Sequence, residues 1–233
     1  MIPLQDTIRA RRIPLMNYAI IIANIVLLVT VQRMQPARAE GFLLEHGAVP
    51  TRFLMGIGLT QSMTLVSSLF LHGGWLHLLS NMWALFIFGD NIEDRLGSLR
   101  YLFFYLLSGV AATLLHIYLN PTSDLPVVGA SGAIAGVMGA YLLSYPRARV
   151  ITLIPLGFAW FVQIPAVIYL GGWFALQLFS GLQTLNGDAA QSSMGGVAWW
   201  AHVGGFVVGM LLIKLLPRAS SYATWHPDEY RPW

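Results

Sequence analysis

A chain of 233 residues that is 56% hydrophobic and only 10% charged, with a mean hydropathy of +0.64, differs sharply from a soluble domain, in which about a quarter of the residues are charged. This composition excludes a soluble globular enzyme and indicates an integral membrane protein of one domain. The net charge of +3 resides in short connecting segments, which reads as membrane topology and not as a nucleic-acid surface. The absence of cysteine removes any disulfide framework, thiolate nucleophile or thiolate ligand.

Met1–Arg12 is polar and basic, and Ile13–Val31 is an apolar run broken only by Asn17, Asn24 and Thr30. A basic start before an apolar run is also the pattern of a signal peptide, and Ala37-Arg38-Ala39 has the small-x-small form of a cleavage site. The run exceeds the roughly 7–15 residues of a signal-peptide core, so it is read as a retained first helix. Gln32 to about Ser68 is mixed, with Gly, Pro and charges, and is too long for a simple turn; it reads as a partly embedded connection.

Five further apolar segments follow at about Gly74–Phe88, Leu99–Leu119, Ser131–Tyr145, Ile164–Leu182 and Trp199–Leu216. A span needs about 20 residues to cross about 30 Å of hydrocarbon, so the predicted fold is an all-α, six-helix transmembrane bundle over residues 13–216. Residues 1–12 and 217–233 form flanking cytoplasmic segments. Val150–Gln163 is apolar too, but Pro155, Gly157 and Pro165 break it, and it reads as a loop lying along the interface.

With the N-terminus inside, the inner segments hold Arg9, Arg11, Arg12, Arg95, Arg100, Arg147, Arg149, Lys214, Arg218 and Arg231, and the outer ones only Arg33, Arg38 and Arg52. Ten basic residues inside against three outside account for all thirteen and satisfy the positive-inside rule. Both termini are therefore expected in the cytoplasm.

The stretch from Gly129 to Gly139 sets Ser131 among small residues where the fourth span begins, and Ala201-His202-Val203-Gly204-Gly205 opens the sixth. Ser131 lies fifteen residues before Pro146, and His202 fifteen before Pro217. At 1.5 Å per residue each stands about 22 Å above the inner end of its helix, and His77 stands about 20 Å above Asp90. Three polar groups thus share one depth below the outer surface.

A serine hydroxyl needs a neighbouring base, and a neutral imidazole suits that task near neutral pH, which makes His202 the candidate base. Ser131 is read as an N-cap, with the free N–H groups of the following turn aimed at any oxyanion formed there. His77 and Asn81, four apart on one helix face, can add side-chain donors. Taken singly, a serine in a small-residue stripe is usually packing, His72 and His77 can be interfacial, and Asn81 can be interhelical glue; a membrane-buried histidine such as His202 is costly and more often functional. Agreement in depth favours catalysis over these separate readings. His116 and His226 are read as interfacial or solvated. The missing H-E-x-x-H excludes a zinc protease of that type, and repeated halves around midplane charges, expected of a transporter, are not found.

The chain resembles the rhomboid intramembrane serine proteases over about Ile13–Leu216. The resemblance rests on His72-Gly73-Gly74-Trp75-Leu76-His77-Leu78-Leu79-Ser80-Asn81-Met82, on Gly89-Asp90-Asn91-Ile92-Glu93-Asp94-Arg95-Leu96-Gly97, on Gly129-Ala130-Ser131-Gly132 and on Ala201-His202-Val203-Gly204-Gly205-Phe206. It implies Ser131 as nucleophile and His202 as base with no acidic third member. It also implies His77 and Asn81 as oxyanion donors, His72 as a supporting residue of the same motif, and Glu93 as a structural anchor for the first outer loop. Two positions depart from the family pattern. Met63-Thr64 stands where many members carry Trp-Arg, and Ala135 where some bacterial members carry a tyrosine that stacks on the base.

The activity so implied is endopeptidase cleavage of single-span transmembrane proteins near the outer face, favouring small residues at the scissile bond. It would proceed through an acyl-enzyme, without metal or organic cofactor, in membrane lipid, with a bacterial inner membrane as the expected location. The alternative is an inactive relative that binds or escorts transmembrane clients. The sequence leaves oligomeric state and natural substrate open.

Overall fold

The computed structural model describes residues 1–156, 158–185 and 197–219. The outer connection expected after Leu182 falls largely outside them, as does the tail beyond Ala219 with His226 and Arg231. Each predicted apolar segment carries a helix: α1 (Leu15–Gln32), α5 (Trp75–Leu96), α6 (Ser98–Leu119), α7 (Ser131–Ser144), α8 (Ala166–Leu185) and α9 (Trp199–Leu215). Of these, α1, α6 and α8 are long and apolar enough to cross a membrane, while α7 and α9 are shorter apolar helices.

Helix α1 illustrates how sequence fixes facing. Asn17, Ile20, Asn24, Leu28 and Val31, spaced three or four apart, are its buried face. Ile22, Ile25 and Val26 are exposed on the other side, an apolar outer surface suited to lipid. Helix α7 behaves differently: every residue from Gly132 to Tyr141 is buried. A helix apolar on all sides belongs in the centre of a bundle, and α7 lies there between α5, α6 and α9.

The mixed segment before α5 forms three short helices, α2 (Pro36–His46), α3 (Pro50–Met55) and α4 (Leu59–Ser67), followed by a 3-10 turn at Ser68–Phe70. Pro36 and Pro50 open their helices, where the missing N–H costs nothing. Ala48 and Val127 exchange backbone hydrogen bonds of 3.1 and 2.9 Å, tying this segment to the chain just before α7.

The all-α expectation needs correction. A three-stranded antiparallel sheet, in the order β1 (Ile2–Asp6), β2 (Arg149–Leu156), β3 (Phe158–Pro165), replaces both the polar N-terminal flank and the interfacial loop. The β2–β3 pairing runs from Arg149 opposite Pro165 to Leu156 opposite Phe158. β1 joins with Ile2 opposite Leu153 and Asp6 opposite Val150. This apolar stretch satisfies its backbone polar groups by pairing. The register shift between Pro3 and Gln5 falls where proline has no N–H to donate.

Glu93 also requires correction. Its carboxylate accepts the N–H groups of Met16, at 3.0 Å, and Asn17, at 2.7 Å, and the Ser98 hydroxyl. It therefore caps the start of α1 and binds the start of α6, and does not anchor the first outer loop. Free N–H groups at a helix start attract a carboxylate, and sixteen residues of α5, about 24 Å, separate Glu93 from His77. Around it, Asn17 donates to the Leu85 carbonyl at 3.1 Å and accepts from the Tyr101 hydroxyl at 2.7 Å. Gly97, at φ +80°, makes the sharp join between α5 and α6.

Candidate active site

The site begins with a helix crossing that glycine permits. A Cβ built on Gly205 would overlap the Gly132 carbonyl, and one on Gly209 would overlap the Gly136 carbonyl. With glycine at these positions α7 and α9 touch backbone to backbone, as small-residue stripes allow in membrane proteins. At the outer end of this contact the Ala201 Cβ lies 3.7 Å from where a Gly132 Cβ would stand. Ser131 precedes Gly132 on α7 and His202 follows Ala201 on α9, so these two half-buried residues flank the contact in sequence. The Ser131 hydroxyl has no hydrogen bond among the described residues, to His202 or otherwise. Catalytic hydrogen bonds are often long without substrate and tighten in the complex.

Ser131 is not the N-cap. Ala130 holds that position and Ser131 is the first helical residue. The first helical bond runs from Ile134 N to Ala130 O at 2.9 Å, which leaves the N–H groups of Ser131, Gly132 and Ala133 without intrahelical acceptors. The corrected register still presents donors next to the serine.

Two residues earlier, Gly129 has φ +126°, a conformation that favours glycine, and its N–H is held by Ser68 O at 2.9 Å. The position of a Gly129 Cβ would be 2.8 Å from His77 Nε2 and 3.7 Å from Asn81 Nδ2. Glycine therefore lets both side chains close on the approach to Ser131. Asn81, 7% exposed, donates through Nδ2 to Nε2 of His72, 2% exposed, at 2.9 Å. This bond uses one amide hydrogen and leaves the second available. The His72 and His77 rings meet edge to face with centroids 4.9 Å apart. His72, His77, Asn81, Gly129, Ser131 and Gly132 thus lie together, while Glu93 sits at the opposite end of α5.

His202 is held from α8. Its Nδ1 lies 2.7 Å from Gln177 Oε1. The Trp173 ring is 5.7 Å away, and Trp199 approaches edge-on at 6.4 Å. Ala135, fully buried inside α7, offers no such surface. His116, near the end of α6, is half-buried, and its Nδ1 is buried without a hydrogen bond among the described residues. Gln177, Trp173 and His116 belong to no short motif. The available signal was depth: a polar amide or imidazole in an apolar helix is costly and seeks a partner.

Among the described residues no group of three His, Asp or Glu side chains is placed to hold a metal ion. What the arrangement can do chemically is nucleophilic attack by a hydroxyl beside an oriented imidazole, with nearby donors for an oxyanion.

Comparison with known proteins identifies the family. Residues 59–219 match the family model described as Rhomboid domain. Rhomboid protein 1, mitochondrial, of Saccharomyces cerevisiae is 28% identical over 156 residues, covering 65% of this chain and 41% of the yeast protein. Rhomboid-like protein 11, chloroplastic, of Arabidopsis thaliana is 30% identical over 161 residues, covering 67% of this chain and 53% of the plant protein. Rhomboid-like protease 5 of Toxoplasma gondii is 30% identical over 181 residues, covering 71% of this chain and 17% of the parasite protein. The chain spans about half or less of the length of these relatives. Their mitochondrial and chloroplastic names do not single out the bacterial inner membrane expected from the sequence; the apolar helices and the family match make this a membrane protein.

Proposed function

Because this chain belongs to the rhomboid family, we propose that it is an intramembrane serine endopeptidase in which Ser131 and His202 form the catalytic dyad. The observation that supports this reading is the α7–α9 backbone contact at Gly132 and Ala201, next in sequence to Ser131 and His202, together with the engagement of His202 Nδ1 by Gln177. In the proposed reaction the Ser131 oxygen bonds to the peptide carbonyl carbon while His202 Nε2 takes the hydroxyl proton. The carbonyl oxygen becomes an oxyanion facing the backbone N–H groups at the start of α7, Asn81 Nδ2 and His77. The tetrahedral adduct collapses, the carbon–nitrogen bond breaks, and His202 returns the proton to the leaving amine. Water then attacks the acyl-enzyme carbonyl carbon, giving a proton to His202; the bond from that carbon to the Ser131 oxygen breaks, and His202 returns the proton to the serine oxygen as the acid is released. Serine–histidine chemistry of this kind uses no cofactor.

The substrates in this reading are single-span transmembrane proteins cut near the outer membrane face. Helices α1, α5, α6, α7, α8 and α9 form the six-span unit over residues 13–216, with residues 1–12 and 217–233 on the cytoplasmic side, supported by the ten-to-three distribution of basic residues. Since the chain has no cysteine, Thr122→Cys and Arg147→Cys test the orientation directly. An impermeant thiol reagent should reach residue 122 from outside and residue 147 only from inside; the reverse would remove the common-depth support for the site.

The activity test uses purified protein in liposomes with a single-span substrate and a chelator. Residues that act as a unit have non-additive effects, so Ser131→Ala, His202→Ala and the double variant should all lose cleavage to nearly the same background, a fall on the order of 10⁵–10⁶ in turnover. Persistent cleavage by folded Ser131→Ala would overturn the nucleophile assignment, and binding without cleavage by the unaltered protein across many substrates would establish the escort role instead.

A further inference from the structure

The dyad reading leaves open what fixes the base, since position 135 is alanine. Helix α8 supplies two contacts from one face. Trp173 and Gln177 are four residues apart, and the first lays its indole 5.7 Å from the His202 ring, tilted by 36°, while the second puts its amide oxygen 2.7 Å from Nδ1. Gln177 is only 8% exposed within a largely apolar helix. A buried amide in that setting must find a partner or lose a hydrogen bond outright.

The direction of this hydrogen bond has a chemical consequence. An amide oxygen only accepts, so Nδ1 must carry the hydrogen, and in a neutral imidazole Nε2 is then the nitrogen with the free lone pair. If the amide turned its NH₂ toward Nδ1, the hydrogen would move to Nε2 and the ring could not take the serine proton. We infer that Gln177 is the positioning residue of the base: from α8 it selects the His202 tautomer and ring orientation, the task an acidic residue performs in a three-membered triad. It is a neutral substitute for that acid, and Trp173 restrains the ring plane. His202 therefore depends on two helices, α9 for its place and α8 for its protonation pattern, so any displacement of α8 relative to α9 lowers the fraction of correctly poised base.

This inference rests on the dyad reading, and the experiment separates the two. Gln177→Met keeps the side-chain length and apolar packing but removes the acceptor; Gln177→Glu keeps an acceptor. The full-length protein in liposomes is assayed for kcat and KM on a single-span substrate, and for the His202 tautomer by solid-state ¹⁵N NMR with labelled histidine. His202→Ala serves to identify the ring signals and as the inactive control. A wrong tautomer costs about 10⁴-fold in a triad protease; the single neutral hydrogen bond here should cost less, about ten- to a hundredfold in kcat for Gln177→Met. KM should stay within about twofold, and the Nδ1–H signal should be lost or mixed with the other tautomer. Gln177→Glu should restore kcat to within about tenfold of the unaltered protein and keep the Nδ1–H form. The inference is overturned if Gln177→Met keeps full kcat and a pure Nδ1–H tautomer, or if both variants lose the same activity while the tautomer is unchanged, which would mark a structural role. Cleavage retained by His202→Ala would instead bring down the dyad itself.

Discussion

The two ends of the bundle treat their polar groups in opposite ways. At the end holding Glu93, the groups consume one another: the carboxylate takes three donors, and Asn17 uses its own N–H and both ends of its amide. Nearby, Asp6 of β1 accepts from Asn91 Nδ2 and the Tyr141 hydroxyl. At the end holding Ser131, potential goes unspent: among the described residues the hydroxyl has no hydrogen bond, the first N–H groups of α7 lack helical acceptors, and the hydrogen bond of His202 is through Nδ1. A satisfied network fixes helices in place, while donors and lone pairs left open beside one another await a ligand. Around Glu93 the hydrogen-bonding capacity is thus taken up within the fold, while at the Ser131 hydroxyl it is open.

The sharpest contrast beyond the dyad should come from the oxyanion donors. Loss of one such donor costs about 10²–10³ in turnover, so Asn81→Ala and His77→Ala should each lower kcat by up to that factor while thermal unfolding stays close to that of the unaltered protein. His72→Ala should act in the same direction through Asn81, whose amide it holds. Normal turnover in all three would place the donors elsewhere.

At the other end the expectation reverses. Glu93→Ala leaves Met16, Asn17 and Ser98 without their shared acceptor and should lower stability by about 3 kcal/mol, since hydrogen bonds to charged groups contribute about 1.5–3 kcal/mol each and some are replaced by water. Fluorophosphonate titration of active protein, followed by turnover per labelled site, should return the unaltered kcat. A selective fall in kcat without a loss of stability would break the division between the two ends.

A further effect concerns pH. Burial, opposed by the Tyr141 hydrogen bond and assisted by the charge of nearby Asp90, raises the Asp6 carboxyl from 3.8 to about 8. Between those values the unfolded chain loses a proton that the folded chain keeps, so stability falls as pH rises from about 4 and levels off above about 8. Asp6→Asn removes the titration. Its unfolding temperature should vary less with pH across 5–8 than that of the unaltered protein, with the relative gain greatest near pH 8; an identical pH slope in both would show that Asp6 does not titrate in this way.

Much of this layout was legible in the sequence because lipid imposes simple rules. Each apolar segment read from the sequence carries a helix, and the serine and histidine motifs lie next in sequence to the α7–α9 backbone contact. What escaped depended on partners distant in sequence. Val150–Gln163 looked like an interrupted apolar loop because alternation is weak in it, although its Val, Ile and Thr content and the central Gly157 fit a hairpin; that β1 completes the sheet could not be read from an N-terminal segment alone. Glu93 sat in a recognisable motif, but only the fold reveals that it serves the start of α1. Gln177 carries no motif at all, and its meaning comes from a contact across 25 residues of sequence with His202.

The claim that Ser131 is the open nucleophile of this bundle is tested most directly by locating a covalent adduct. Folded protein in liposomes is treated with a fluorophosphonate and digested, and the modified peptide is sequenced by mass spectrometry. A single phosphonyl adduct on Ser131, absent from Ser131→Ala and strongly slowed in His202→Ala, is the expected result. An adduct on another residue, or cleavage activity that survives with Ser131 unmodified, would contradict it.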